Sequence, residues 1–367
     1  MRFMTFVLMI HVNQLHYTLA LSNVPHLGPI RFRKLIEKFG SAEAAFHTPV
    51  FKWELPIRFK FDAEKKTEFL LKAEREMSDA LQHKIEIVTY ACDNYPKRLK
   101  YFDDAPVFLF KRGHAQVNPA RTIGIVGTRN ATAYGRSFCN ELIASLRELD
   151  VVVISGLALG IDAQAHTSAL ESKLVTWACI ANGHENIYPK ENRKLIQRIE
   201  ETGLVFSELA PYVKAEREYF QTRNRCIAAL SDAVLVVESA SKGGALVTAN
   251  FANDFNKEVF ALPGRANDAY SRGCNNLIRQ QKAHLITSAE ELCLLMDWQL
   301  DAKATQLVIP ELSVEETKVF NLLRRENSLD LDVLKLKFEG ENLALHLLKL
   351  ELKGVVRCLP GNKIELA

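Results

Sequence analysis

The chain has 367 residues, 48% of them hydrophobic and 25% charged, with 47 Lys+Arg against 44 Asp+Glu for a formal net charge of +3. That length holds two or three domains. A charge so close to balance excludes binding by bulk basicity, and residues 115–298 carry 19 basic against 20 acidic side chains, so any anionic ligand is held by local placement of charge. Seven scattered cysteines (92, 139, 179, 226, 274, 293 and 358) form no CxxC, which suits a reducing compartment and points to no metal site. No stretch approaches the ~18–20 apolar residues of a membrane span, so the chain reads as cytoplasmic with no membrane partner.

Phe3–Ile10 is a short apolar run followed at once by His11, Asn13 and Gln14. It reads as the first helix of a cytosolic domain rather than a signal peptide. Helical spacing continues into the turn Asn23–Pro29 and resumes in a second amphipathic helix ending at Gly40, a helix–hairpin–helix pattern. Arg31, Arg33 and Lys34 stand at the start of that helix, where backbone N–H groups can meet a phosphate. Packing between the two helices explains the same residues. Phe51–Leu81 is charged and helical in pattern, completing an all-α front over 1–82. Ile85–Gly113 offers two short strands around a Tyr-Pro turn, an adaptor (83–114) between that front and the centre of the chain.

From Ile123 onward strand and helix alternate without a break. IGIVG and VVVIS flank a helix-patterned Tyr134–Leu149, and LVTWACI, LVFSE, AVLVVES, EVFALPG and HLITS come after them. Continuously apolar strands separated by helices predict a doubly wound parallel sheet over 83–298. In such sheets ligands gather at the carboxyl ends of the strands. Those ends carry Gly127-Thr128-Arg129 and Ser155-Gly156. The dinucleotide fingerprint fails, because Gly124-Ile125-Val126-Gly127 has the wrong spacing and Ser155 stands where an acid belongs. No Walker A order is present, and no cofactor is expected.

Two stretches suit a phosphate chain. Ser241-Lys242-Gly243-Gly244 precedes a helix starting near Ala245, so backbone N–H groups and a lysine can face an anion. Phe220-Gln221-Thr222-Arg223-Asn224-Arg225 reads as the head of a helix whose apolar part is Cys226–Leu230. Cations there oppose the helix dipole, so each arginine requires an anionic ligand or a carboxylate such as Glu208 or Glu238; one of each kind is expected. Phe220 can stack on a base. Asp162 and His166, four apart, read as structural, with Asp162 capping the Gly160 turn. No nucleophile–base–oxyanion set emerges, so no catalytic residue is assigned.

Residues 299–311 read as a linker. Beyond it, 312–367 gives helices and then two short strands about a Pro-Gly-Asn turn, a winged-helix pattern with nine basic and nine acidic residues over 314–367. That balance suits protein docking at least as well as DNA.

The stretches IVGTRNATAYG, VVVISGLALGIDAQAH, NIYPKENRKL, FSELAP, FQTRNRCIAALSDAVLVVESA, GALVTA, EVFALPG and RGCNNLI, in that order, resemble the DNA-processing protein A (DprA/Smf) family. The resemblance implies a sterile-alpha-motif-like or helix–hairpin–helix front, an extended Rossmann-like centre and a winged-helix tail. It implies binding of single-stranded DNA without known catalysis, protection of incoming strands in natural transformation, loading of the RecA recombinase, and a homodimer through the central domain. By the same resemblance Arg129, Phe220, Arg223, Arg225 and Lys242-Gly243-Gly244 line a DNA pocket. The family's usual Ser-Gly-Ser at the last loop reads Lys-Gly-Gly here, trading hydroxyls for a cation. With the neighbouring turns, the expected DNA contacts are Gly127, Thr128, Arg129, Ser155, Gly156, Phe220, Arg223, Asn224, Arg225, Ser241, Lys242, Gly243 and Gly244. Two other classes compete. The KGGALVT loop also resembles that of lysine-decarboxylase-like nucleotide phosphoribohydrolases, although their catalytic Glu is replaced by Ala249-Asn250. A protein-docking scaffold is the third.

Overall fold

The computed structural model describes residues 2–56, 61–298, 312–326, 328–338, 340–353, 355–359 and 363–366. The chain forms two compact units, Met1–Leu300 and Asp301–Ala367; the expected linker 299–311 lies outside the described residues.

The first unit begins with α1 (Arg2–Ser22), α2 (Pro29–Phe39), α3 (Ala42–His47) and α4 (Ala63–Gln82). Leu19, Phe32, Leu35, Phe46 and Trp53 fill the space between them. Of the three cations at the start of α2, Arg31 donates to the His26 carbonyl at 2.7 Å. Arg33 donates to the Asp103 and Ala105 carbonyls and lies 4.5 Å over the Tyr90 ring. Arg33 therefore clamps the helical front to the adaptor, a role that neither the phosphate reading nor helix packing with solvated charges anticipates. Lys34 is exposed.

Nine strands make one sheet: β1 (Glu86–Thr89), β2 (Phe108–Gly113), β3 (Arg121–Val126), β4 (Val151–Ser155), β5 (Thr176–Cys179), β6 (Leu204–Ser207), β7 (Ala233–Val236), β8 (Glu258–Ala261) and β9 (His284–Leu285). Their order is β1-β2-β6-β5-β4-β3-β7-β8-β9. The run from β6 to β9 is parallel, and β2 and β1 add to it antiparallel. The adaptor strands are thus part of the sheet, pairing with β6 and covering what is otherwise an open edge.

Helices α5 (Ala133–Ser145), α6 (Ile161–Glu171), α7 (Arg193–Thr202), α8 (Arg217–Leu230), α9 (Ala245–Asp254), α10 (Arg272–Arg279) and α11 (Ala289–Leu295) connect the strands. One face of the sheet packs Ile154, Val234, Val236 and Ile227; the other packs Ile123, Ile125, Val153 and Leu235. Burial on both faces is why these strands read as unbroken apolar runs. The chain leaves β3 toward β4, β5 and β6, then returns beside β3 as β7 and continues outward. The reversal puts a crevice between the carboxyl ends of β3 and β7.

The second unit contains α12 (Val314–Glu326), β10 (Ser328–Asp330), α13 (Leu331–Lys337), α14 (Leu343–Leu352), β11 (Val356–Leu359) and β12 (Lys363–Leu366). The strands form an antiparallel sheet in the order β10-β12-β11 over Val319, Leu323, Leu334 and Leu350. Among the described residues no helix is long and apolar enough to cross a membrane, and Cys92, Cys139, Cys179, Cys226, Cys274 and Cys293 are free thiols.

Two histidines lie within the first unit's interior, His166 at 0% and His184 at 2% exposure. His166 Nδ1 meets Thr176 Oγ1 at 2.7 Å, and His184 Nε2 lies 3.3 Å from the Val205 carbonyl. Burial, aided by the charge of Arg223 or Arg112, pushes each imidazole down to about 3. Below the ordinary value near 6.5 the unfolded chain takes up protons that the folded chain refuses, so stability falls as pH falls. The slope is about 1.4 kcal/mol per pH unit for each histidine. Burial raises the carboxyls of Glu76, Glu200 and Glu208, which act with the opposite sign, so the imidazoles are best isolated in the upper part of that window. Urea midpoints should drop from pH 7 to pH 5.5; a flat profile would contradict neutral buried histidines.

Candidate functional site

The crevice between β3 and β7 contains a cavity of about 330 Å³. Its first wall is the turn after β3. The Thr128 N–H donates to the Glu238 carbonyl at 2.7 Å, and the Thr128 carbonyl accepts from the Ile161 N–H at 3.1 Å. A Cβ at Gly127 would fall 2.6 Å from the Ile161 side chain, so α6 packs this closely only against glycine. Arg129 projects from this turn, exposed, with its guanidinium carbon 5.5 Å from the centre of the Phe220 ring. Among the described residues it has no carboxylate partner.

The second wall is α8. It starts at Arg217, earlier than the sequence suggests, because its first turns lie beside the cavity and lack the apolar stripe that reveals a helix. Arg223 is therefore mid-helix, and the expected conflict with the helix dipole does not exist. Phe220, Arg223 and Asn224 share one face at spacings of three and four, and all three line the cavity. Arg225, two residues past Arg223, is rotated by about 200° and lies outside it. Its Nη2 donates to Glu208 at 2.6 Å and its Nη1 to the Asp104 carbonyl.

Of the expected split between the two arginines, only the carboxylate-paired half is seen: Arg225 takes Glu208. Glu238 instead accepts from the Thr132 N–H at 2.9 Å and from its hydroxyl, fixing the start of α5. Nor is Arg223 free. It is 7% exposed and donates to the carbonyls of Gly156 and, at 2.7 Å, Cys179. Its charge faces Asp162, whose buried carboxyl is raised by burial and lowered by Arg223. That carboxylate accepts from the Ala158 N–H at 3.4 Å and lies beside the backbone of Gly127 and Gly156, which also holds its pKa down. Asp162 thereby ties the ends of β3 and β4 to α8, a larger role than capping one turn. His166 takes no part in it, and the described residues contain no group of three or more metal-ligating side chains.

The third wall is the loop Ser239–Gly244 and the start of α9. No side chain caps α9; the Leu246 and Val247 N–H groups donate to the Gly243 and Gly244 carbonyls at 3.2 and 3.1 Å, which leaves those of Gly244 and Ala245 for an anion. Gly243 packs on Ser239 too closely for any Cβ, whereas Gly244 faces open space. Both line the cavity. Ser241 and Lys242 are exposed beside it on the same loop.

Of the thirteen expected contacts, Gly127, Thr128, Arg129, Phe220, Arg223, Asn224, Gly243 and Gly244 converge on this cavity. Ser155 does not, being fully buried with its hydroxyl donating to the Ile125 carbonyl at 2.6 Å. Gly156 is buried too; its lack of a side chain makes room for Arg223 and Asp162.

Comparison with known proteins identifies the family. Residues 86–297 match the family model described as DNA recombination-mediator protein A. The chain is 38% identical over 226 residues to the DNA processing protein DprA of Bacillus subtilis, covering 61% of this chain and 76% of the relative. To the protein Smf of Synechocystis it is 34% identical over 287 residues, with coverage of 75% and 71%. The solved DNA processing protein A of Streptococcus pneumoniae superposes with a TM-score of 0.65 at 28% identity, covering 78% of this chain and 98% of that one. The protein from Helicobacter pylori, solved to describe its single-stranded DNA binding mode, superposes at 0.53 and 30% identity, covering 58% and 98%. The chain belongs to the DNA recombination-mediator protein A family.

Proposed function

We propose that this chain binds single-stranded DNA in the β3/β7 crevice, holding the strand without making or breaking a bond. The observation that carries this reading is Arg129, an exposed guanidinium with no carboxylate partner among the described residues, set over the ring of Phe220 and opposite an uncapped, glycine-lined helix start. In this reading Arg129 and Lys242 meet phosphates, the N–H groups at the start of α9 meet another, and Phe220 stacks a base. Single-stranded DNA binding by the Helicobacter pylori relative supports it. Arg223 contributes by holding Phe220 and Asn224 in place.

The same proposal extends to shielding incoming strands in natural transformation, delivering them to the RecA recombinase, and working in the cytoplasm as a homodimer through the α/β domain. It divides the chain into a helical front (1–82), the DNA-binding centre (83–298) and a winged helix (312–367), which the helix and strand order of the second unit supports. Hydrolysis finds little support. Ala249-Asn250 stand where a catalytic Glu is needed, and Asp162, an acid lining the cavity, is buried, faces the charge of Arg223 and accepts from the Ala158 N–H. Robust release of free base from nucleoside monophosphates would overturn the non-enzymatic reading.

The decisive measurement is a titration of single- against double-stranded oligonucleotides across salt, repeated with Arg129→Ala. Loss of one charge-assisted contact weakens single-strand binding by about 1.5–3 kcal/mol. It also reduces the salt slope by about 0.7. Unchanged affinity and slope would remove Arg129 from the interface.

A further inference from the structure

Beside the cavity lies an aromatic side chain that its walls do not use. Tyr188 is 47% exposed, and its ring centre is 5.9 Å from that of Phe220, at an interplanar angle of 75°. Its hydroxyl has no partner among the described residues. A half-exposed tyrosine offers an apolar ring face together with a polar tip. The loop that carries Tyr188 is firmly held.

Four tethers fix that loop. The Gly183 N–H donates to the Val213 carbonyl at 2.8 Å and the Glu185 N–H to the Pro211 carbonyl at 3.0 Å. Asn186 donates to the Tyr212 carbonyl at 2.8 Å. Asn192 donates to the carbonyls of Leu157 at 2.8 Å and Ala158 at 3.3 Å. Ala158 is itself a wall of the cavity, so the loop is bonded directly to the site it flanks. Two residues past Tyr188, Lys190 is exposed with no ion-pair partner among the described residues.

We infer that Tyr188 forms a second nucleobase subsite, taking the base next to the one on Phe220, with the Lys190 ammonium near the phosphate between them. This inference rests on the single-strand reading above and adds a second stacking position to it. Two aromatic rings in edge contact present faces in different directions, which suits successive bases splayed apart rather than stacked on each other. The loop's tethers keep the backbone ordering cost small when the strand arrives. The ligand class is an unpaired strand of at least two nucleotides, since a duplex keeps its bases stacked and inaccessible to either ring.

The test compares Tyr188→Leu and Tyr188→Phe with the unaltered chain, on an oligodeoxythymidine and on an abasic phosphodiester strand of equal length. Tyr188→Leu keeps apolar bulk but lacks a π-face. It should weaken oligodeoxythymidine binding by about fivefold to a hundredfold and leave abasic-strand binding unchanged, while Tyr188→Phe binds both like the unaltered chain. Equal binding of oligodeoxythymidine by Tyr188→Leu, or an equal loss on both strands, overturns the subsite. Arg129→Ala in parallel separates the two readings: if it weakens both strands while Tyr188→Leu weakens neither, the pocket stands and the second subsite falls. Failure of the unaltered chain to bind either strand removes both.

Discussion

Replacing Asp162 with alanine should lower the stability of the first unit by about 1–3 kcal/mol, the cost of leaving buried polar groups without the group they face. Two losses combine in this variant. Arg223, 7% exposed, keeps its carbonyl partners but loses the negative charge it faces. The Ala158 N–H loses its acceptor and the backbone of Gly127 and Gly156 loses the carboxylate beside it, and a buried donor left unpaired costs about 1–3 kcal/mol. Asp162→Asn keeps an acceptor oxygen without the charge, so it should fall between the two. Urea midpoints by circular dichroism measure this directly. A loss under about 1 kcal/mol in Asp162→Ala would show that the carboxylate does not organise the ends of β3 and β4.

The sheet was readable because its strands are buried on both faces and its helices carry apolar stripes. VVVIS and AVLVV admit few other interpretations. The position of the site was readable for a related reason: the order of strand ends fixes which turns can meet once the winding reverses. The choice among those turns was less so. Ser155-Gly156 looks like any other ligand-binding turn, and only the packing of Arg223 and Asp162 around Gly156 shows that it lies beneath the floor. The start of α8 was hidden because residues 217–222 are exposed or only partly buried and carry no apolar stripe.

Arg223 and Arg225 illustrate what spacing alone can decide. Two positions apart on a helix they cannot share a face, so one had to leave the crevice as soon as α8 extended past them. The composition could not say which. The ion pair with Glu208, 17 residues earlier at the end of β6, draws Arg225 away. Tyr188 and Asn192 were missed for a different reason. They sit in a loop without periodicity, and what makes them relevant is a contact with Phe220 and a bond to Ala158 across the fold.

Phe220→Ala should have the largest effect on strand binding of any single change at the crevice. The ring serves three neighbours at once: Arg129 at 5.5 Å, Arg223 at 5.9 Å and Tyr188 at 5.9 Å. Truncation removes the stack with a base, about 1–3 kcal/mol. It also removes the surface that orients Arg129, for which a cation–π contact contributes about 0.5–1 kcal/mol at exposed sites. Phe220 is only partly buried, so the fold should lose little stability, and urea midpoints near those of the unaltered chain would separate a binding defect from unfolding. Phe220→Tyr keeps the π-face and should retain most of the affinity. Salt dependence supplies the sharper discrimination: Arg129→Ala flattens the slope, whereas Phe220→Ala lowers affinity with the slope nearly unchanged, because no charge is lost. Should Phe220→Ala flatten the slope as much as Arg129→Ala, the ring's main role would be to position the guanidinium, and the base would have to be held elsewhere.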